Sequence, residues 1–274
     1  MTRKALPAKL SRPIQAARPE AREGPLPARP RPRSDITAVE DVANGGTIES
    51  ERAFLLKVFE RLKSRYDLDR WHWQADTPGF DICVGAILVQ HTLWSNVEKA
   101  IANLRAAGVF SGEAIAALPV DELGTLLRPA GMPAQKARRL KIFAELAGAH
   151  GSLDALLALP APQLRSVLLS THGIGPETAD VVVLYASKQL AKVHDAYTQR
   201  LMRRLGVGPE RDGYAVWARW LAERLPPDVR LYQQYHAAIV VHCKETCRST
   251  PKCGACPVVD LCAYGRGTPR FFDQ

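Results

Sequence analysis

Five of the six cysteines in this chain of 274 residues lie between Cys243 and Cys262, close to its end. Four of them follow one spacing, C-x5-C-x2-C-x5-C, and these are Cys247, Cys253, Cys256 and Cys262. Thiols this dense in one segment are typical of a single metal centre, because a chain of this length does not need a disulfide scaffold. The spacing alone leaves two centres open, a structural zinc ion and an iron–sulfur cluster, since both accept four cysteine thiolates.

The positive charge of the chain is concentrated at its beginning. The formal net charge is +9, and residues 1–33 carry nine basic side chains against two acidic ones. This segment is rich in proline and poor in large apolar residues, so we predict a disordered basic arm over residues 1–46. Such an arm either contacts nucleic acid or stays solvated without a partner. No apolar run approaches the roughly 20 residues of a membrane helix, and we expect no membrane contact.

From Thr47 onward, apolar residues recur at the spacing of helices rather than of strands. One such stripe consists of Phe54, Leu55, Val58, Phe59 and Leu62. Ser95 and Glu98 have the spacing of a capping box, which predicts a helix that begins after Ser95 and is ended by Gly108. Pro133 stands where a further helix would begin. These patterns predict an all-α fold.

The segment Thr171–Asp180, T-H-G-I-G-P-E-T-A-D, predicts a tight hairpin between two helices. Gly173 and Gly175 permit a backbone with positive φ, and their amides can converge on an anion. Gly175 takes an N-cap position and Pro176 the first helical position, so the next helix directs its positive end to the same place. This geometry suits a backbone phosphate of DNA. A G-x-G pair alone also fits a plain turn between helices.

A predicted helix of about four turns, over Glu177–Gln189, separates this hairpin from a second motif, V-H-D-A-Y-x-x-R-L-x-x-R-L-G, which starts at Val193. The hairpin, Asp195 and the four cysteines together resemble the endonuclease III branch of the helix-hairpin-helix DNA glycosylases. In that family an aspartate at this place stands in the mouth of the active site and helps to cleave the bond between a damaged base and its sugar. The resemblance therefore implies that Asp195 is catalytic.

The resemblance also implies a [4Fe–4S] cluster as cofactor, held by Cys247, Cys253, Cys256 and Cys262. The first gap of the spacing is five residues if Cys247 is the first ligand and nine if it is Cys243. We favour Cys247, since His242 then keeps the offset from the ligand that the family's histidine has, and we interpret Cys243 as a spare thiol. The cluster would fold a loop that presents Lys244, Arg248 and Lys252 to DNA phosphates.

One position departs from the family pattern. Its bifunctional members carry a lysine immediately before the Thr-Ala pair of the second hairpin helix, and this amine forms a Schiff base with the sugar. Here that position is Glu177, a poor Schiff-base former that at a helix start also simply stabilises the helix. The departure favours a monofunctional glycosylase in which Asp195 activates water or stabilises a cationic sugar.

Two alternatives stay open at this point. A lyase could use another amine, from Lys188, Lys192 or Lys244, in place of the missing one. A non-catalytic protein could instead bind abasic sites without turning over a lesion. Borohydride trapping of a covalent complex separates the first alternative from a monofunctional enzyme, and turnover of a lesion separates the second.

The resemblance further implies a pocket for a flipped base. The segment Gly85–Ser95 is similar to the family segment whose glutamine fills the gap left by a flipped nucleotide, and Gln90 is that glutamine here. Trp73, Trp94 and His72 lie near it in sequence, and flipped bases are held by stacking on aromatic faces. This layout is similar to that of the 3-methyladenine glycosylase offshoot of endonuclease III. The alternative is that these rings only seal contacts between helices.

The resemblance covers about residues 50–265 and implies two helical lobes with the hairpin at their cleft. Residues 80–185 would form a six-helix barrel lobe, and residues 47–79 and 186–266 a discontinuous cluster lobe. The implied function is base excision repair on double-stranded DNA that carries an alkylated or oxidised base or an abasic site. We expect a monomer in a cytoplasm of bacterial type, associated with the nucleoid. The residues expected to contact DNA are Gly173, Gly175, Gln90, Arg200, Lys244, Arg248 and Lys252.

Overall fold

The computed structural model describes residues 47–267, and every regular element in that range is helical. The α-helices are α1 (Ile48–Arg65), α2 (Gly79–Leu88), α3 (Trp94–Ala106), α4 (Gly112–Ala117), α5 (Val120–Leu126), α6 (Pro133–Ala149), α7 (Leu153–Leu157), α8 (Ala161–Leu169), α9 (Pro176–Val181), α10 (Ala196–Leu205), α11 (Tyr214–Arg224), α12 (Val229–Glu245) and α13 (Ala263–Arg266). The predicted all-α fold is thereby confirmed, while the arm predicted for residues 1–46 lies outside the described residues. No helix among those described has both the length and the apolarity that crossing a bilayer requires.

The packing of the helices brings the two ends of the described chain together. The predicted apolar stripe of α1 is buried, with Phe54 and Leu55 almost inaccessible to solvent. This helix packs against α11 and α12, whereas in the middle of the chain α6 packs against α4 and α5. The first helix thus shares a core with the last long helices, although the boundaries drawn for the two lobes stay a prediction.

The helix after the hairpin is not the continuous α-helix that the sequence predicts up to Gln189. α9 passes at Val182 into a π-helical turn, Val182–Ala186, which packs against α2 and α12. Lys188 then adopts a left-handed backbone with φ +54°, so the helix cannot continue. The extra residue in a π turn changes the direction of the side chains that follow. Tyr185 is buried here and faces α12.

The start of α3 differs from the predicted capping box. α3 begins at Trp94, two residues earlier than predicted, and its N-cap is Leu93, which has no side chain that could cap the amides. Glu98 does not reach back to the helix start, because it accepts a hydrogen bond of 3.0 Å from the indole Nε1 of Trp94. The predicted end of this helix is confirmed, since Gly108 follows it with φ +70°.

Candidate active site and cysteine loop

Asp195 lies at the N-cap of α10, where two groups hold its carboxyl. Oδ1 accepts hydrogen bonds from the amide of Thr198 at 2.8 Å and from its hydroxyl at 3.0 Å. Oδ2 lies 3.8 Å from Nε2 of His236, which α12 contributes. Burial raises the pKa of Asp195, but the interactions with His236 and Thr198 outweigh it, and the net pKa lies below the ordinary value. The site therefore contains an ionised carboxylate at neutral pH.

Glu177, at the family's lysine position, lies in the first turn of α9, where the residue as a whole is exposed but protein atoms surround its carboxyl. Loss of solvent around its carboxyl raises the pKa, and the negative charge of Asp195 raises it further. His236 opposes both effects, and the net pKa is about 7. We call Glu177 and Asp195 the carboxyl pair. Two carboxyls whose pKa values are driven apart in this way can serve as an acid and a negatively charged stabiliser in one reaction.

The hairpin forms as predicted, with one difference between its two glycines. Gly173 has φ +89°, whereas Gly175 has φ −88° and an extended backbone that any residue can adopt. Positive φ is thus required at Gly173 alone. Gly175 caps α9 without a side chain, and Pro176 is the first helical residue. The amides of the first turn have no helical acceptor, so they remain available to an anion.

Gln90 lies against the hairpin. Its Nε2 donates to the carbonyl of Gly173 at 3.2 Å and to the hydroxyl of Thr178 at 2.9 Å, and its Oε1 accepts from Arg139. Arg139, on α6, was not predicted from the sequence. Its side chain covers Gly173 so closely that a Cβ there would come within 2.5 Å of it. The signal that could have found Arg139 is weak, because it is one of several basic residues on an exposed helix face.

The three predicted pocket rings are neighbours in the structure. The ring of His72 stacks on Trp94 with centroids 3.6 Å apart and an interplanar angle of 17°, and Trp73 meets Trp94 edge-on at 5.7 Å. The ring of Trp71, the residue before His72, has its centroid 3.9 Å from that of His72. Gly85 permits this approach, since a Cβ there would come within 3.0 Å of Trp94 and 3.3 Å of Trp73.

His72 occupies the slot between two indole rings. Burial lowers its pKa to about 3, with smaller contributions from the positive charges of Lys244 and His236. The imidazole is therefore neutral at physiological pH. Trp73 is buried, and its Nε1 has no hydrogen-bond partner. The ring of His72 itself covers a face of Trp94, with centroids 3.6 Å apart, so the role of these rings in binding a base stays a prediction.

Arg200, predicted to contact DNA, donates hydrogen bonds to two backbone carbonyls of the protein. Its Nε bonds the carbonyl of Cys247 at 3.1 Å and its Nη2 the carbonyl of Cys243 at 3.3 Å. Arg204 contacts the same segment, including a contact of 3.2 Å from Nη1 to the Sγ atom of Cys247. Both arginines hold the loop that carries the cysteines. The contact of Arg200 with DNA stays a prediction, and these internal partners limit its freedom to make it.

The four predicted ligand residues, Cys247, Cys253, Cys256 and Cys262, line one cavity together with Arg204 and His242. We call residues 247–262 the cysteine loop. Its thiols surround the cavity without converging, and within residues 47–267 no three metal-binding side chains are grouped closely enough to hold an ion. Cys243 is buried outside this cavity with its Sγ 3.6 Å from the carbonyl of Tyr197. Four thiols around one cavity are a donor set of the kind that a metal centre uses, and Cys247 rather than Cys243 lines that cavity, while the cofactor and its first ligand stay predictions.

His242 connects the cysteine loop to α1. It is fully buried, its Nδ1 lies 2.8 Å from the hydroxyl of Tyr66, and its Nε2 lies 3.9 Å from the Sγ atom of Cys256. Lys244, Arg248 and Lys252, the predicted phosphate contacts, are all exposed on or beside this loop. Lys244 is also close enough to Asp195 for the two charges to interact, which the sequence did not predict.

Comparison with known proteins identifies the family. The sequence pattern of the HhH-GPD superfamily base excision DNA repair proteins matches residues 84–227, more than half of the chain. The candidate DNA repair glycosylase MJ1434 of Methanocaldococcus jannaschii is 37% identical over 78% of this chain and 98% of its own length. The endonuclease III of Sulfolobus acidocaldarius is 27% identical over 68% of this chain and 82% of its own length.

Solved structures support the fold. A non-covalent endonuclease III–DNA complex matches with a TM-score of 0.65 and 21% identity over 81% of this chain and 97% of its own. The H. pylori 3-methyladenine DNA glycosylase bound to 1,N6-ethenoadenine matches with a TM-score of 0.55 and 24% identity over 69% and 97%. The chain belongs to the HhH-GPD superfamily of base excision DNA repair proteins. It is an endonuclease III-like DNA glycosylase, which favours an enzyme over a protein that only binds damage.

Proposed function

We propose that this glycosylase is monofunctional and hydrolyses the N-glycosidic bond without forming a Schiff base. The observation that carries the proposal is the carboxyl pair. Asp195 is kept ionised by its neighbours, whereas Glu177, where a lysine would be needed, has a pKa near 7. A carboxyl cannot form a Schiff base, so in this proposal the nucleophile is water.

The two carboxyls would have different tasks in that reaction. The Asp195 carboxylate stabilises the positive charge that develops on the sugar as the bond to the base lengthens, and it can accept a proton from the attacking water. Glu177, half-protonated near pH 7, can donate a proton to a departing neutral base. A cationic base needs no such proton, because it leaves as a neutral molecule. The dependence on Glu177 should therefore reveal the charge of the natural lesion.

The partner in this proposal is double-stranded DNA with an alkylated or oxidised base. The hairpin amides would bind a backbone phosphate, Gln90 would enter the space left by the flipped nucleotide, and the base would stack among Trp73, Trp94 and His72. The neighbours seen in complex with DNA and with 1,N6-ethenoadenine support DNA and a modified purine as ligands. The expected setting is a monomer in a cytoplasm of bacterial type, associated with the nucleoid.

The cofactor in this proposal is a [4Fe–4S] cluster on Cys247, Cys253, Cys256 and Cys262. The shared cavity supports it, and so does the arginine contact to a ligand sulfur, since hydrogen bonds to cluster sulfurs are common in such sites. When bound, the cluster supplies thiolate-to-iron bonds that fold the loop. Structural zinc remains the competing centre for the same thiols.

A screen of duplexes, each with one modified base, tests the proposal. Wild type and Glu177→Gln are compared in single-turnover excision on a neutral lesion such as hypoxanthine and on a cationic methylated purine. We expect a loss of about 10² to 10⁴ on the neutral lesion for Glu177→Gln and a much smaller loss on the cationic one. Equal and small losses on both lesions would exclude Glu177 as the proton donor.

One observation favours a second candidate, a lyase that uses Lys244. Burial lowers the pKa of this amine, although the charges of Asp195 and Glu98 raise it, and an amine with a lowered pKa beside a catalytic carboxylate is a competent nucleophile. Borohydride trapping of wild type and of Lys244→Gln decides between the candidates. Trapping by wild type that is lost in Lys244→Gln would establish the lyase, and no trapping by either supports hydrolysis.

A further inference from the structure

A chain of polar contacts leads from Asp195 into the interior between the π turn and α12. Oδ2 of Asp195 lies 3.8 Å from Nε2 of His236, and Nδ1 of the same ring lies 2.9 Å from the hydroxyl of Tyr185. That hydroxyl also donates to the carbonyl of Gln233 at 2.8 Å. His236 and Tyr185 are only 7% and 3% exposed, so solvent does not replace any of these partners.

The protons in this chain can be assigned by counting donors and acceptors. The hydroxyl of Tyr185 has one proton, and the carbonyl of Gln233 can only accept, so that proton is committed. The contact between Tyr185 and His236 then requires a proton on Nδ1. Nε2 therefore either carries a second proton or presents a lone pair to Asp195. A lone pair facing an ionised carboxylate is repulsive, whereas a second proton gives a charge-assisted pair.

We propose that His236 is a positioning residue that acts on excision through Asp195, with Tyr185 holding its ring so that an imidazolium faces the carboxylate. The charge and orientation of Asp195 then depend on a residue 41 positions away on another helix. The proposal rests on the hydrolytic function above, because it assumes that the ionised carboxylate is the form that works.

Other titratable groups face this pair from every side. Glu177 on α9 repels Asp195, while Lys244 on α12 attracts it. The pair is also faced by His72 before α2, Tyr185 in the π turn, His194 beside Asp195 and Cys243 on α12. Without His236, burial of Asp195 would be opposed by Thr198 and Lys244 alone among these groups, so its protonated form would gain population at low pH.

The first test is the pH profile of single-turnover excision by the full chain. His236→Gln keeps a hydrogen-bond donor at this place but removes the positive charge. The acidic limb of the pH profile of excision should therefore move to higher pH. For each pH unit by which the limb moves, the excision rate at acidic pH should fall about tenfold relative to wild type. The difference from wild type should shrink as the pH rises. Tyr185→Phe removes the acceptor of Nδ1 and the donor to Gln233 but keeps the imidazole, so it should move the limb in the same direction by less. A loss of equal size at every pH would overturn the proposal.

The second test measures whether the ring nitrogens of His236 carry protons. It does not depend on excision or on the folding of His236→Gln. Nitrogen NMR of the full chain with labelled histidine, with His236 assigned through its shift in Tyr185→Phe, should show both ring nitrogens protonated at pH 7. The Asp195→Asn variant should show a neutral ring at that pH. A neutral His236 in wild type would overturn the pairing. Because no substrate is present, that result is distinct from a failure of the hydrolytic function.

Discussion

The hairpin and the cysteine loop are held by different interactions. The hairpin is fixed by contacts that the chain supplies in full: the left-handed Gly173, the buried Ile174, and the side chains of Gln90 and Arg139. The cysteine loop contains two short 3-10 turns, buries Val258 and Leu261, and is also held by arginine contacts to its carbonyls and by the ion pair of Asp260 with Arg61. Its four thiols do not bond one another.

This difference indicates which part of the site should keep its structure without a bound metal. The hairpin and Asp195 are held by hydrogen bonds from the protein itself, so they should persist when the metal is removed. The cysteine loop has little regular structure, so we expect metal–thiolate bonds to contribute to its order. Excision chemistry and metal binding are therefore separable in principle, and variants on the two sides should fail in different ways.

The largest expected effect is on the hairpin side. Asp195→Asn keeps the shape of the side chain but removes its negative charge, so excision should fall by about 10² to 10⁴. Binding to abasic-site DNA should persist, because the hairpin is unchanged. Single-turnover excision and a binding titration measure the two quantities. An Asp195→Asn variant that excises at the wild-type rate would place the chemistry elsewhere.

The next effect belongs to the cysteine loop. Cys256→Ser should abolish the visible absorption expected of an iron–sulfur protein and lower the melting temperature, by roughly 2–4 °C for each kcal/mol lost in a chain of this size. The matched control is Cys243→Ser, whose thiol lies outside the cavity and should leave the colour intact. Loss of the colour in Cys243→Ser would mean that Cys243, not Cys247, is the first ligand. A colourless, zinc-loaded protein purified from iron-replete cells would mean that the centre is zinc and not an iron–sulfur cluster.

A smaller effect compares the two hairpin glycines. Gly173→Ala forces a left-handed alanine against Arg139, so it should destabilise the protein by about 1–3 kcal/mol and weaken DNA binding. Gly175→Ala, at an extended backbone with open space around the new Cβ, is the control and should be nearly neutral for stability. Denaturant unfolding of both variants provides the measurement. Equal losses would mean that positive φ does not limit the hairpin.

The smallest effect is a dependence on pH. The pKa of Glu177 is raised in the folded protein from 4.5 to about 7, so its contribution to stability is present below pH 4.5 and is lost as the pH rises towards 7. Excision of a neutral base should decline by about tenfold per unit above pH 7, because the acid is then ionised. A profile that stays flat to pH 9 on a neutral lesion would exclude Glu177 as the acid.

The sequence predicted the features that depend on residues close together along the chain. The hairpin and the spacing of the cysteines are local, and the all-α fold follows from periodicity. The contacts of Gln90 with Arg139 and of Asp195 with His236 join segments more than 40 residues apart, and no local pattern encodes them. The π turn escaped prediction for a related reason, because it is stabilised by packing of Tyr185 against α12 rather than by its own sequence.

The most direct test of the central claim is borohydride treatment of the wild-type protein on a duplex with an excisable lesion. A monofunctional enzyme with Glu177 at the lysine position should release the base, leave intact abasic strands that break only under later alkali, and give no covalent complex. Efficient trapping of protein on DNA, together with strand cleavage at neutral pH, would contradict the account and assign the reaction to an amine.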